Sequence, residues 1–257
     1  MSGDAVTVAL SAVSKARADI GSSNSRSRLV ETGPPPSRPG RRFVAVEERE
    51  LYPALRDLAS RLPGATRGIV VIAEMVGPTG LPDLVAVPVT PRLEHRLQLH
   101  LSPLLTWSDV RLAAACSTVR PFTAHTLARR MSGDVDATRR RAQQLVRMGA
   151  LLQIRSGYVR TSTLGPIGRI YALEAKVDDW SAGLGQALRY GSWADASAAV
   201  LGSLPKDQSR AVDQANQLGL GLALGSRWLV RPRIRRLDFA KRLWASEHVV
   251  AAILASE

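Results

Sequence analysis

Cysteine is nearly absent from this 257-residue chain, and the single Cys116 excludes an internal disulfide. The four histidines have no cysteine partners and fit no zinc-site spacing. No glycine-rich loop runs into Lys-Ser or Lys-Thr, so a nucleotide-phosphate loop is also excluded. We interpret Cys116 as a buried packing residue.

Long apolar runs are missing as well. No stretch approaches the roughly 18 apolar residues that a membrane-spanning helix needs, and the apolar run at 5–13 follows Asp4 instead of a basic segment, which is unlike a secretory signal. With 45% hydrophobic residues and a mean hydropathy of -0.03, the composition is typical of a soluble globular protein with one large or two modest domains. We expect a cytoplasmic protein that does not bind membranes.

Lysine is scarce too: only four of the 35 basic residues are lysines, and the rest are arginines. One of them, Lys176, ends the run Tyr-Ala-Leu-Glu-Ala-Lys at 171–176. Arginine presents a wide planar fork, whereas lysine is a compact point charge that fits beside a phosphate or a metal-bound water. Side chains two apart on a strand share a face, so Glu174 and Lys176 are predicted to project together. This pair is our first candidate site.

Positive charge is abundant. The formal net charge of +13 and the sequence pI near 11.1 indicate a polyanionic partner, because each phosphate that a protein neutralises releases counterions. Nucleic acid is the leading candidate. The alternative is a proteome whose proteins are all rich in arginine, and the location of the charge decides between the two.

The chain divides into three parts by its patterns. Residues 1–42 are rich in Gly, Ser, Pro and Arg and are predicted to be largely disordered, with one short helix at 4–20. Residues 43–90 and 166–257 alternate between helical and strand patterns, beginning with a helix at 47–62 and strands at 68–75 and 81–87. This alternation predicts an α/β fold with a mixed sheet flanked by helices.

Residues 91–165 have a different order of predicted secondary structure: helical patterns at 108–116, 123–131 and 135–148 are followed by a predicted hairpin at 151–161. Three helices and a hairpin describe a winged helix, and the segment resembles the winged helix-turn-helix family from Phe122 to Arg160. The resemblance implies that the third helix enters the major groove of double-stranded DNA and that the wing contacts the backbone. Some winged helices bind only proteins, which is the competing interpretation.

Residue types on the third helix favour DNA. Thr138, Ala142 and Leu145 form its core stripe, which leaves groove-reading side chains outside. The predicted DNA-binding residues are Arg139, Arg140, Arg141, Gln143, Gln144 and Arg147 on this helix, with Arg155 and Arg160 in the wing.

The remaining elements resemble the PD-(D/E)XK nuclease superfamily, a restriction-endonuclease-like fold. The resemblance rests on Pro82-Asp83, Glu174-Ala175-Lys176 and the spacing of Gln186 and Tyr190, and on the order helix, three strands, helix, strand. It spans roughly 45–225 once the inserted winged helix is subtracted.

Hydrolysis of a phosphodiester needs hard oxygen ligands for Mg²⁺ or Mn²⁺, and Asp83 and Glu174 are the predicted metal ligands. Lys176 would position the nucleophile or offset charge on the phosphate, and Gln186 and Tyr190, one helical turn apart, would steady the phosphate or the lysine. Glu48 is a further catalytic carboxylate in this prediction, with Glu47 and Glu50 as competitors.

One condition must hold for this site. Asp83 and the Glu-Ala-Lys run lie far apart in the chain, so the winged helix must be inserted at the end of the hairpin that joins their strands. If it is not, Glu74, Asp178 or Asp179 would have to replace Asp83.

The predicted function is a Mg²⁺-dependent DNA endonuclease directed by a winged helix, associated with the nucleoid. The alternative is a transcriptional regulator that binds DNA without cutting it and uses the nuclease-like core as a scaffold, either for a homodimer or for a partner. An RNA binder is less consistent with a groove-entering helix.

Two further groups of residues have open or structural roles. Residues 227–236 are either a basic extension of the phosphate surface or a solvated edge strand. We interpret four tryptophans as packing residues: Trp180, Trp193, Trp228 and Trp244.

Overall fold

The computed structural model describes residues 29–32, 48–99 and 101–256, and all structural statements refer to these ranges. Nine strands form there: β1 (Leu29–Thr32), β2 (Ile69–Ala73), β3 (Leu84–Pro88), β4 (Leu151–Ile154), β5 (Gly157–Arg160), β6 (Tyr171–Lys176), β7 (Ala196–Leu201), β8 (Gly221–Leu224) and β9 (Arg227–Val230). Eight α-helices accompany them: α1 (Tyr52–Ser60), α2 (Pro91–Gln98), α3 (Trp107–Ala115), α4 (Ala124–Met131), α5 (Val135–Arg147), α6 (Trp180–Tyr190), α7 (Gln208–Leu218) and α8 (Phe239–Ala255).

Seven strands build one mixed sheet in the order β1-β2-β3-β6-β7-β8-β9. The β1/β2, β6/β7 and β7/β8 pairs are parallel, whereas β2/β3, β3/β6 and β8/β9 are antiparallel. The predicted mixed α/β sheet flanked by helices is therefore confirmed. Strands β3 and β6 are direct neighbours, so the long segment between them leaves the sheet and returns beside its point of departure.

Both faces of β2 and β3 are covered, which explains the unbroken apolar sequences of these two strands. Alternate residues of β2, such as Val70 and Ile72, face a core that is shared with α2 and α8. Ile69 and Val71 face the opposite core, which α1 closes. Helices α6 and α7 pack on β7 and β8 through a third cluster, in which Leu184 is fully buried.

The segment between β3 and β6 contains a helical insert, defined here as α3, α4, α5 and the β4–β5 hairpin. Its helices start at side-chain caps, since Thr106, Thr123 and Asp134 each accept a hydrogen bond from the backbone three residues on. The insert has a core of its own, in which Leu127 and Leu145 are fully buried. Three helices and a hairpin lie where the sequence predicts them.

Helix α8 joins the insert to the sheet. Its Leu243 packs in the insert core, whereas Val249 and Val250 pack in the sheet core. Glu247, fully buried on the same helix, receives both Nε and Nη2 of Arg96 at 2.9 and 2.7 Å. Its Oε2 also accepts the backbone N–H of Leu104 at 2.9 Å. The chain entering the insert is therefore fixed to α8.

The exit from the insert is fixed to the same helix. Ser246 Oγ accepts the backbone N–H of Ile167 at 3.1 Å, and Arg242 Nη2 donates to the carbonyl of Gly168 at 3.1 Å. Thr90 Oγ1, at the entrance, donates to the carbonyl of Ile167 and so ties the two connections to each other. Both connections of the insert consequently depend on α8.

Three local features differ from the sequence-based expectation. The segment 29–32, expected to lack regular structure, forms β1 because its backbone pairs in parallel with β2. Residues 91–98 form α2, which begins with Pro91 after the cap Thr90 and buries Leu93 in the sheet core. The first helix begins at Tyr52, and a separate helical turn at 48–50 precedes it.

The predicted helix at 4–20 lies outside the described residues, as does Glu47. In the part of the chain that is described, no helix is both long and apolar enough to cross a membrane.

Candidate active site

A cluster of three carboxylates and one ammonium group lies at the carboxyl end of β6. The Nζ atom of Lys176 is 3.0 Å from Oε1 of Glu174 and 3.1 Å from Oε1 of Glu48. Glu174 is 1% exposed, and the side chains of Lys176 and Glu48 are 15% and 10% exposed. The strand alternation holds as expected, because Leu173 and Ala175 face the α1 side while Glu174 and Lys176 project from the other.

Asp83 joins this cluster from the neighbouring strand. It precedes β3, whose Leu84 pairs with Leu173, and its Oδ2 accepts the backbone N–H of Ala175 at 2.7 Å. Ala175 is the residue between Glu174 and Lys176, so the carboxyl group of Asp83 lies beside the backbone that carries both. The predicted condition is met, because the insert lies at the end of the β3–β6 pair. Asp83 itself lies beside Glu174-Ala175-Lys176, so no other acid has to replace it.

The competing acids take other positions. Glu50 is exposed on the turn before α1. Glu74 lies opposite Asp83, since its backbone N–H donates to the carbonyl of Asp83 at 3.1 Å, and it adopts a left-handed backbone with φ of 46°. Asp179 caps α6 by accepting the N–H of Ala182 at 2.9 Å, and Asp178 precedes it on the surface. Glu48, in the helical turn before α1, contacts Lys176 in addition to Glu174.

The charge state of Lys176 follows from its neighbours. Burial of the ammonium group lowers the pKa of Lys176, but the carboxylates of Glu174 and Glu48 outweigh this effect and leave the pKa above its usual value. Lys176 is therefore protonated at neutral pH. Such a group can stabilise negative charge, but it cannot accept a proton as a general base.

Tyr190 holds the other oxygen of Glu174. Its hydroxyl group donates to Oε2 at 2.8 Å and also lies 3.2 Å from the carbonyl oxygen of Leu81. Burial and the charge of Glu174 raise the pKa of Tyr190, so the phenol stays protonated. Tyr190 is the last residue of α6, so this helix positions the phenol against Glu174.

Gln186 lies one turn before Tyr190 on α6. Its Oε1 is buried, and no described residue donates a hydrogen bond to it. A buried acceptor without a partner costs free energy, so it calls for a donor that the described residues do not supply.

The loop that precedes Asp83 is held closely against α6 and the turn after it. A Cβ atom at Gly77 would lie 2.7 Å from Trp193, and one at Gly80, where φ is +83°, would lie 2.8 Å from the ring of Tyr190. Trp193 Nε1 also donates to the carbonyl of Thr79 at 3.0 Å. Sequence reasoning missed this support, although the two glycines in the turn were a visible signal.

The donor types of the cluster suit a hard divalent cation. Mg²⁺ is commonly held by one or two carboxylates together with waters, and Asp83 and Glu174 can supply these two. Both oxygens of Glu174 already accept hydrogen bonds, yet a carboxylate oxygen has a second lone pair that remains for a metal. No group of three or more His, Cys, Asp or Glu side chains in the described ranges is arranged to hold a metal by itself.

A second candidate surface lies on α5. Thr138, Ala142 and Leu145 are buried, as expected. The polar face outside is exposed at Arg139, Arg140, Gln143, Gln144 and Arg147. Arg141 is partly exposed and lies 3.3 Å from Asp109 of α3, with a further hydrogen bond to Ser108.

The two arginines predicted to bind DNA from the β4–β5 hairpin differ in their surroundings. Arg155 is exposed at the turn between β4 and β5. Arg160 is half-buried, with its guanidinium group 4.1 Å from the ring centroid of Phe239, and burial lowers its pKa. Arg155 is thus presented to solvent, whereas Arg160 packs at the junction with α8.

Other predicted features have structural roles. Cys116 is buried, as expected, and burial raises the pKa of its thiol to about 11. The four tryptophans singled out in the sequence pack in or against hydrophobic clusters: Trp180, Trp193, Trp228 and Trp244. In the basic segment, Arg227 is exposed on the edge strand β9, and Arg235 donates to the carbonyl of Leu218 at 3.1 Å.

Comparisons with known protein families, with curated proteins and with solved structures find no match to this chain.

Proposed function

We propose that the chain is a DNA-binding protein that hydrolyses phosphodiester bonds, with a core of the PD-(D/E)XK type and a winged helix-turn-helix insert. The observation that carries this proposal is the contact of Lys176 with Glu174 and Glu48, beside Asp83 on the adjacent strand. The exposed arginines and glutamines of α5 support the choice of double-stranded DNA as the substrate. Such a protein would act in the cytoplasm, at the nucleoid.

Asp83 and Glu174 would hold Mg²⁺ or Mn²⁺, which supplies a bound water of lowered pKa and offsets charge on the phosphate. The side chains around them have separate tasks. Tyr190 orients Glu174 through its hydrogen bond, and the N–H of Ala175 orients Asp83. Lys176, kept protonated, stabilises the negative charge that develops on the phosphate oxygens. The unpartnered Oε1 of Gln186 is available to a donor in the substrate complex.

The scarce lysines offer a matched test of this proposal. Lys176→Met removes one positive charge from the cluster, and Lys241→Met removes the same charge from an exposed position on α8. With supercoiled plasmid and Mg²⁺ or Mn²⁺, we expect nicking by the wild type and by Lys241→Met. Lys176→Met should be slower by about 10²–10³-fold, the usual effect of losing one electrostatic group in an active site. Equal nicking by all three proteins would refute the role of Lys176, and no nicking by the wild type would refute the nuclease.

A second candidate function is a regulator that binds DNA without cutting it, with the core as a scaffold for a homodimer or a partner. Its supporting observation is that Glu174 is already satisfied on both oxygens by Lys176 and Tyr190, as in a purely structural cluster. This candidate predicts metal-independent binding to duplex DNA that is lost in Arg140→Ala and unchanged in Glu174→Gln, without strand scission.

A further inference from the structure

An acidic residue lies on the otherwise basic face of α5. Asp136 is in the first turn of the helix, its side chain is 67% exposed, and Arg140 follows it one turn later on the same face. Residues four apart on a helix are neighbours about 6 Å apart along the axis, whereas stacked base pairs are spaced by about 3.4 Å. If α5 lies in a major groove, Asp136 and Arg140 reach base pairs within two steps of each other.

Asp136 is not withdrawn from this face by its ion pair. Its Oδ1 lies 2.5 Å from Nη1 of Arg139, but Arg139 is itself 50% exposed, and such a surface pair is worth only about 0–1 kcal/mol. The pair therefore orients the carboxylate without neutralising it in a buried environment. A phosphate approaching Asp136 would be repelled, which is an odd property for a surface that only collects DNA through its charge.

The chemistry of base edges resolves this oddity. A carboxylate only accepts hydrogen bonds, and in the major groove only cytosine N4 and adenine N6 donate. Guanine N7 and O6 and thymine O4 are acceptors, so a carboxylate facing them leaves two acceptors unpaired. Arginine has the opposite preference and pairs with the two acceptors of guanine.

We infer that Asp136 is a specificity-determining residue, which selects cytosine or adenine, the bases whose amino group lies in the major groove, within two base-pair steps of a guanine selected by Arg140 on the same strand. This inference rests on the proposed binding of duplex DNA by α5. Asp136 lowers the affinity for every other sequence, and it thereby raises the ratio of specific to non-specific binding. In the alternative, purely structural role, Asp136 only interacts with the helix dipole at the N-terminus of α5. Its removal would then change the affinity for all DNA sequences equally.

A matched control exists on another helix. Asp57 on α1 pairs with Arg61 at 2.6 Å, with side chains 52% and 49% exposed, which closely resembles the surroundings of Asp136. Asp57→Ala changes the net charge by the same amount as Asp136→Ala and also breaks an exposed ion pair on a helix. A gain of affinity that depends only on the net charge of the protein would therefore occur in both variants.

The test is selection from a pool of random duplexes by the full-length protein at a fixed salt concentration, followed by sequencing. We expect the wild type to enrich a motif in which a guanine is accompanied, at a fixed spacing of one or two positions on the same strand, by cytosine or adenine and not by guanine or thymine. In Asp136→Ala the preference for cytosine or adenine beside the guanine should fall about tenfold, while binding to an unrelated duplex becomes tighter. Arg140→Ala should lose the guanine, and Asp57→Ala should keep the whole motif.

Each other outcome has a definite meaning. An unchanged motif in Asp136→Ala, or a uniform loss of affinity for all sequences, would overturn the inference. Binding of the wild type to duplexes without any motif would overturn it too, while leaving the proposed DNA binding intact. Absence of duplex binding would refute both.

Discussion

Replacing Glu247 by Gln should destabilise the protein more than any exposed charge removal, because the carboxylate is fully buried with Arg96. Arg96 donates two hydrogen bonds to it, at 2.9 and 2.7 Å, and Leu104 donates a third at 2.9 Å. A glutamine keeps the shape but presents an NH₂ group to one of these donors and leaves the guanidinium charge uncompensated. Breaking a buried pair in this way costs about 3–5 kcal/mol.

Urea unfolding at neutral pH measures this effect. Asp57→Asn, which removes an exposed carboxylate paired with Arg61, is the control and should cost less than about 1 kcal/mol. The double variant Arg96→Met/Glu247→Leu removes both charges, so it should be more stable than Glu247→Gln although Leu104 N–H loses its acceptor. A loss below about 1 kcal/mol for Glu247→Gln would refute the reasoning, since it would mean that water reaches the pair.

Three further predictions concern the loop before Asp83, the charge of Lys176 and the burial of Cys116. Gly80→Ala should lose about 1–3 kcal/mol in urea unfolding, because φ is +83° and the new Cβ meets Tyr190; Gly185→Ala, in open space on α6, should gain about 0.5–1 kcal/mol instead. Because the pKa of Lys176 is raised in the folded protein, its contribution to stability is complete below pH 10.5 and is lost as the pH rises through the folded value. Lys176→Met should therefore show a shallower loss of stability above pH 10.5, and equal slopes would contradict the assigned contacts. Cys116, whose pKa is raised to about 11, should resist alkylation by iodoacetamide at pH 8 until the protein is unfolded in urea, as a thiol assay can show.

Local patterns were sufficient to predict much of this fold. The β-branched run at Ile69–Ala73 lies within the strand predicted at 68–75, because buried strands need such residues whatever lies around them. The buried stripe of Val135–Arg147 follows the helical period, and its outward face was predicted residue by residue. The pairing of Glu174 with Lys176 followed from strand alternation alone.

Tertiary pairing decided what the sequence did not reveal. The four residues Leu29–Thr32 are too short to form a strand alone, and they depend on the backbone of β2 as a partner. Helix α2 carried a local signal, since Thr90 and Pro91 form a capped helix start. Proline is also typical of loops, however, so this signal was ambiguous in the sequence. The choice of Glu48 over Glu50 depended on which of them reaches Lys176, and that contact joins elements distant in the chain.

The position of α8 explains how the candidate site survives a large insertion. Asp83 meets Ala175 only if β3 and β6 keep the register Leu84 to Leu173, yet the whole insert lies between these strands. Closing so long a connection costs entropy, and a flexible insert would leave this cost to the sheet alone. Glu247 holds the entrance through Arg96, and Ser246 on the same helix holds the exit. Helix α8 thus holds together the two connections that join the insert to β3 and β6, so a change in α8 should disturb both the site and the orientation of α5.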